Sequence, residues 1–149
     1  MADVLTKYGK VGAKFANKEI DLDSDTIKAF LLKSSYTPDM DAHEYEDDLA
    51  LSTNEISTTS TYTKGTGVTL ANKSMTYDSE NNYTKFDADD ITIEDATAAD
   101  IMYLALVDTQ SGVASTNPLI ALLTFDAAKR VLSAQQLKVT WNASGILAI

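Results

Sequence analysis

The chain has 149 residues, with 12 Lys and Arg against 22 Asp and Glu, a formal net charge of −10 and no cysteine. That length suffices for one domain with an ordinary buried core, and the missing cysteines exclude disulfides, thiolate zinc clusters and a thiol nucleophile. A pI near 4.3 argues against binding nucleic-acid phosphates or an anionic membrane surface, because both require clustered Lys and Arg.

Residues 1–20 read as an N-terminal arm, helical or extended. If helical, it sets Leu5, Tyr8 and Phe15 near one face, with Lys7, Lys10, Lys14 and Lys18 among them. This basic start against an acidic remainder is the one feature of charge patterning that points to a partner. The arm lacks a continuous apolar stretch, so a secretory signal is not expected. No run approaches the roughly 18 to 20 apolar residues of a membrane span. Three glycosylation sequons, at Asn72, Asn82 and Asn142, read as chance occurrences.

Residues 21–149 read as a single β-rich domain. Over Asp25 to Lys33, Ile27, Ala29 and Leu31 fall on one side and Phe30 and Leu32 on the other, the pattern of a strand buried on both faces. Thr37-Pro38-Asp39 signals a helix start, and a short acidic helix is expected from about Asp39 to Leu49. The polar stretch Ser52 to Gly67 predicts an extended edge or loop outside the core. Short apolar or alternating runs then predict strands over Val68–Tyr77, Tyr83–Asp87, Ile91–Ile93, Ile101–Val107, Pro118–Phe125, Leu137–Trp141 and Ile146–Ile149. Turn clusters at Asp78 to Asn82, Asp87 to Asp90, Ser111-Gly112 and Asn142 to Gly145 separate them. Asn117 with Pro118 also suits a helix start, but a strand to Phe125 is preferred, followed by an irregular or short helical segment over Ala127 to Gln135. The expected architecture is mainly β, an antiparallel β-sandwich or jelly-roll-like domain.

Candidate chemistry is sparse. Asp39 to Asp48 supplies many oxygen ligands but no glycine, so it does not match an EF-hand loop and reads as a solvated acidic face. Asp87, Asp89, Asp90, Glu94 and Asp95 are spaced for a cation clip, yet acidic turns look the same. His43, the only histidine, is read as a surface side chain. There is no Gly-x-Ser-x-Gly elbow, and Lys64-Gly65-Thr66-Gly67 lacks phosphate-loop spacing. No catalytic residue, cofactor or metal ligand is therefore assigned. Trp141 and Tyr36, Tyr45, Tyr62, Tyr77, Tyr83 and Tyr103 read as core or cross-strand aromatics, with a glycan-binding platform as the sharper alternative.

The order of blocks over most of the chain, from about Glu19 to Ile149, is itself informative. EIDLDSDTIKAFLLKSSYTPDMDAHEYEDDL leads through NEIS to TLANKSMTYDSENNYTKFDADDITIEDATAADIMYLALVDTQSG, then to NPLIALLTF and the closing LKVTWNASGILAI. This succession resembles a family of small tailed-bacteriophage virion structural proteins. The chain departs from the pattern within Asp126 to Gln135, where AKRVLSAQ stands in place of a polar Gly- and Ser-rich loop. The resemblance implies a non-enzymatic role, with capsid decoration on the head the leading one. Its implied partners are the major capsid protein and further copies of this chain, three-fold closure being natural at local three-fold positions. The protein would be made in the host cytoplasm and reside on the capsid surface. Alternatives are a tail, neck or baseplate component and a host-surface glycan-binding module. Leu5, Lys7, Tyr8, Lys10, Lys14, Phe15 and Lys18 are the expected capsid contacts. Deleting residues 1–18 is expected to leave a folded domain that no longer binds heads.

Overall fold

The computed structural model describes residues 3–95, 100–129 and 135–149. A five-stranded antiparallel sheet organises the molecule. Its strands, in spatial order, are β1 (Val4–Lys7), β8 (Leu119–Lys129), β7 (Ile101–Asp108), β2 (Ile27–Lys33) and β3 (Val68–Thr69). A smaller sheet joins β10 (Leu147–Ala148), β5 (Tyr83–Asp87) and β4 (Ser74–Asp78), and β6 (Ile91–Glu94) pairs with β9 (Gln136–Val139). Every strand pairing is antiparallel. The protein is mainly β, consistent with a sandwich-like fold.

The alternation read from β2 sorts its side chains as expected. Ile27, Ala29 and Leu31 join the larger apolar cluster with Phe86, Ile93, Ile101, Leu104 and Ile146. Phe30 and Leu32 face the other way, onto Tyr8, Tyr36, Leu49, Val107 and Leu122. The central sheet is therefore covered on both faces. Each large aliphatic or aromatic side chain fully buried there contributes about 1.5–3 kcal/mol.

Several expectations are corrected. No regular acidic helix runs from Asp39 to Leu49; that segment is a series of turns ending in a 3₁₀ turn over Glu46–Leu49, followed by α2 (Leu51–Asn54). The acids themselves prevent the helix. Asp39 Oδ1 accepts the Asp41 and Ala42 N–H groups at 3.2 and 2.9 Å, and Asp48 Oδ2 accepts those of Glu44 and Tyr45 at 3.0 Å or less. Short acidic side chains that capture nearby backbone donors compete with the helical ladder. The stretch Ser52 to Gly67 does reach the core, because Ile56 and Tyr62 are buried. Thr59 Oγ1 accepts the Thr61 and Tyr62 N–H groups and turns Tyr62 inward.

The run Val68–Tyr77 is broken into β3 and β4, which lie in different sheets. Asn72 makes the break, with a left-handed φ of 50° and its side-chain amide donating to Asp89 at 2.6 Å. Beyond Phe125, β8 continues as strand to Lys129, which pairs with Ile101, so the irregular segment expected from Ala127 is strand at its start. Residues 130–134 of that segment lie outside the described residues. No helix among the described residues is long and apolar enough to cross a membrane.

Candidate functional site

Residues 3–20 contain both a strand and a helix. β1 forms an edge of the central sheet, with Leu5 opposite Leu123 and Lys7 opposite Ala121. The chain then turns at Gly9, whose N–H donates to the Met40 carbonyl at 2.8 Å, and enters α1 (Val11–Ala16). Helical spacing puts Tyr8, Val11 and Phe15 on one side of this turn and Lys10 and Lys14 on another.

The lysine side is strapped to the acidic segment. Lys14 Nζ reaches Glu19 Oε2 at 2.8 Å, Glu44 Oε1 at 2.7 Å and the Tyr45 hydroxyl at 2.6 Å, while lying over the Tyr45 ring. Lys10 Nζ takes the other Glu44 oxygen at 2.8 Å. Burial would lower the Lys14 pKa, but its hydrogen bonds to Glu19, Glu44 and Tyr45 outweigh it and hold the ammonium above the ordinary lysine range. The hydrogen bonds from Lys10 and Lys14 hold Glu44 down at about 2.

The apolar side borders open space. A cavity of about 560 Å³ is lined by Lys7, Tyr8, Val11, Phe15, Ala148 and Ile149. A second, of about 470 Å³, is lined by Phe15, Lys18, Ile20, Leu22, Met75 and Ile149. Phe15 and Ile149 border both, so the two form a continuous groove between α1 and the outer end of the smaller sheet. Two of the exposed large apolar side chains, Met75 and Ile149, line this groove. Met75 and Tyr77 alternate along β4 and so share one face with Phe86, the cross-strand partner of Met75.

The expected contact residues thus divide. Lys7, Lys10 and Lys18 are exposed, Leu5 and Phe15 are half-buried, and Tyr8 and Lys14 are buried. Tyr8 is part of the second core cluster, and its hydroxyl meets that of Tyr36 at 3.1 Å. The arm is therefore built into the fold. Removing residues 1–18 takes away a sheet edge and the buried Tyr8, Val11 and Lys14, so that deletion does not isolate a docking function. Sequence reasoning missed Met75 and Ile149, which only sheet topology brings to Phe15.

The other candidates are occupied. His43 is half-buried, with Nδ1 accepting from the Tyr36 hydroxyl at 2.8 Å and the Asp39 N–H at 3.4 Å, and serves a packing role. Asp89 accepts from Asn72, Asp90 from the Trp141 N–H, and Glu94 from Gln136, so the acidic turn fastens neighbouring segments. No three histidine or acidic side chains converge as metal ligands among the described residues. Tyr36 and Tyr62 are interior, Tyr45, Tyr83, Tyr103 and Trp141 half-buried, and only Tyr77 of the singled-out aromatics is exposed. No protein-family model, curated protein or solved structure matches this chain.

Proposed function

We propose that this protein is a non-enzymatic structural component of a bacteriophage virion, a decoration protein that binds the outer surface of the major capsid protein lattice. The observation that carries the docking part of this reading is the groove in which Phe15 and Lys18 of the N-terminal segment meet Met75 and Ile149. Contiguous exposed apolar surface with a charged rim is characteristic of protein interfaces. The virion part rests on the order of sequence blocks from Glu19 to Ile149. Surplus carboxylates elsewhere would face water and discourage particle aggregation. A lattice multiplies a modest single-site affinity, and closure of copies into a trimer at local three-fold positions would multiply it further.

Quantitative mass spectrometry of purified virions tests the assignment. Copies on the order of one per capsid subunit are expected for lattice-wide occupancy. A handful per particle would move the protein to the neck, tail or baseplate, and its absence from virions would refute the reading. In co-sedimentation with undecorated heads, Met75→Glu and Lys18→Glu should weaken binding while leaving the fold intact by circular dichroism, because both side chains are exposed.

A further inference from the structure

β4 is an outer strand of the smaller sheet, paired with β5 on one side and open on the other. The hydrogen bonding of β5 fixes which of its backbone groups face outward. Thr84 exchanges both main-chain bonds with Ile149, and the Phe86 carbonyl accepts the Ile146 N–H, so residues 84 and 86 bond on the β10 side. Residues 83, 85 and 87 therefore bond to β4, through their partners Asp78, Thr76 and Ser74. By alternation, the N–H and C=O groups of Met75 and Tyr77 point away from the sheet, and no main-chain group of the described residues meets them.

This edge lacks the usual protection. An open edge is a template for another strand, and native proteins blunt it with brevity, charge, proline, a bulge or a cover. Among the other outer strands, β3 and β10 are two residues long, and β1, β6 and β9 carry Lys7, Glu94 and Lys138. Ser74 to Tyr77 is uncharged and free of proline, pairs with β5 without a register shift, and is exposed throughout. Its two outward-bonding residues, Met75 and Tyr77, are large and apolar and 39% and 62% exposed.

We propose that β4 pairs antiparallel with β4 of a second copy of this chain, about a two-fold axis through Thr76. Centring on Thr76 sets Met75 opposite Tyr77 of the other copy, so the outward N–H and C=O groups of both residues are satisfied within the strands. Centring on Met75 or Tyr77 would leave the other of the two opposite a residue outside β4. Charge selects the direction. The antiparallel register sets Lys73 opposite Ser79 of the second copy, between its Asp78 and Glu80, whereas parallel pairing would set like charges side by side. On one face the Met75 sulfur meets the Tyr77 ring of the other copy, a favourable contact that the axis repeats. The pairing joins the two smaller sheets into one. It needs no capsid, so it stands apart from the virion reading, and its two-fold symmetry is separate from three-fold closure. A single strand pair buries little area, so the dimer is weak and concentration-dependent.

Sedimentation equilibrium of the full chain at up to about 1 mM, with amide hydrogen exchange, provides the test. A monomer–dimer equilibrium is expected, with exchange at the Met75 and Tyr77 N–H groups slowing as concentration rises. Tyr77→Pro removes an outward donor while leaving the bonds to β5 in place. Losing that bond on both sides of the axis should weaken dimerisation at least about tenfold. The chain has no cysteine, so Thr76→Cys reads the register directly: Cα atoms facing across a non-hydrogen-bonded pair lie about 4.5 Å apart, within reach of a disulfide. Mild oxidation should crosslink Thr76→Cys much faster than Val113→Cys, which is also exposed but remote from β4. Exchange and crosslinking decide the matter should Tyr77→Pro fail to fold. The proposal is overturned if the parent stays monomeric over this range, if any assembly it forms survives Tyr77→Pro unchanged, or if the two cysteine variants crosslink at the same rate.

Discussion

Replacing Lys14 decides whether the lysines of α1 are contacts for a partner or fastenings of the fold. Its side chain is 8% exposed and holds Glu19, Glu44 and the Tyr45 hydroxyl at 2.6–2.8 Å. Removing one member of a fully buried ion pair costs about 3–5 kcal/mol, largely because the partner is left charged and dry. Here Glu19 and Glu44 are 39% and 26% exposed, and Glu44 keeps Lys10, so water and the second lysine compensate. The expected loss for Lys14→Ala is therefore reduced to about 1–3 kcal/mol. For a chain of this size that corresponds to a fall in Tm of roughly 3–10 °C. Lys14→Met retains the buried apolar stem, though not the ammonium over the Tyr45 ring, and should recover part of the loss. Differential scanning calorimetry at neutral pH measures both variants, and co-sedimentation with heads measures binding. If Lys14→Ala leaves Tm within about 1 °C of the parent yet abolishes binding, Lys14 faces a partner and the strapping argument is wrong. Lys18→Glu should behave in the opposite way, with Tm unchanged and binding weakened, because Lys18 is exposed on the groove rim.

Two further predictions concern stability. Burial, reinforced by the neighbouring Asp25 carboxylate and opposed by the Gln110 N–H, pushes Asp108 up to about 7. The folded state then binds more protons than the unfolded state between the ordinary aspartate range and pH 7, so stability falls as pH rises through that window. Asp108→Asn should flatten this slope and raise the urea midpoint at pH 8 while changing it little at pH 4; an unchanged slope would contradict the burial argument. Gly145 has φ 91°, and a β-carbon there would meet the Phe86 carbonyl oxygen at 2.8 Å and collide with the Lys85 stem. Gly145→Ala should therefore destabilise by about 1–3 kcal/mol in denaturant titration, and more than Gly112→Ala, whose added carbon meets open space.

Much of the sheet framework was legible because it is written in local alternation and turn chemistry. β2 shows this best, since its two-sided apolar pattern admits a strand covered on both faces and little else. The Asp78 to Asn82 turn is equally local: Asp78 accepts the Glu80 and Asn81 N–H groups, and Asn82 takes φ 61°. The acidic segment misled because first-turn acids favour a helix only when their side chains leave the backbone donors alone. Asp39 and Asp48 instead bind those donors, which yields turns. Tyr62 was illegible for a different reason. In a field of Ser and Thr its burial depends on distant partners, with the hydroxyl donating to Glu55 at 2.6 Å and accepting from the Leu31 N–H at 3.1 Å.

The groove shows where sequence-level reasoning about a site stops. Amphipathic spacing placed Tyr8 and Phe15 together, and both do flank the same cavity, but spacing carries no information about which residue is sealed by the second cluster. Charge patterning treated Lys7, Lys10, Lys14 and Lys18 alike. The fold separates them by a single contact partner, because Glu44 draws Lys10 and Lys14 toward the acidic segment while Lys18 remains at the groove rim. Electrostatic attraction within the chain has thus consumed half of the basic cluster that pointed to a partner. What remains for recognition is mainly shape and apolar area around Phe15, Met75 and Ile149. Such a surface predicts binding whose salt dependence is weak, since screening acts on exposed charge and hardly on buried apolar contact. Retention on heads across a change from low to high ionic strength separates that mode from a lysine-driven one.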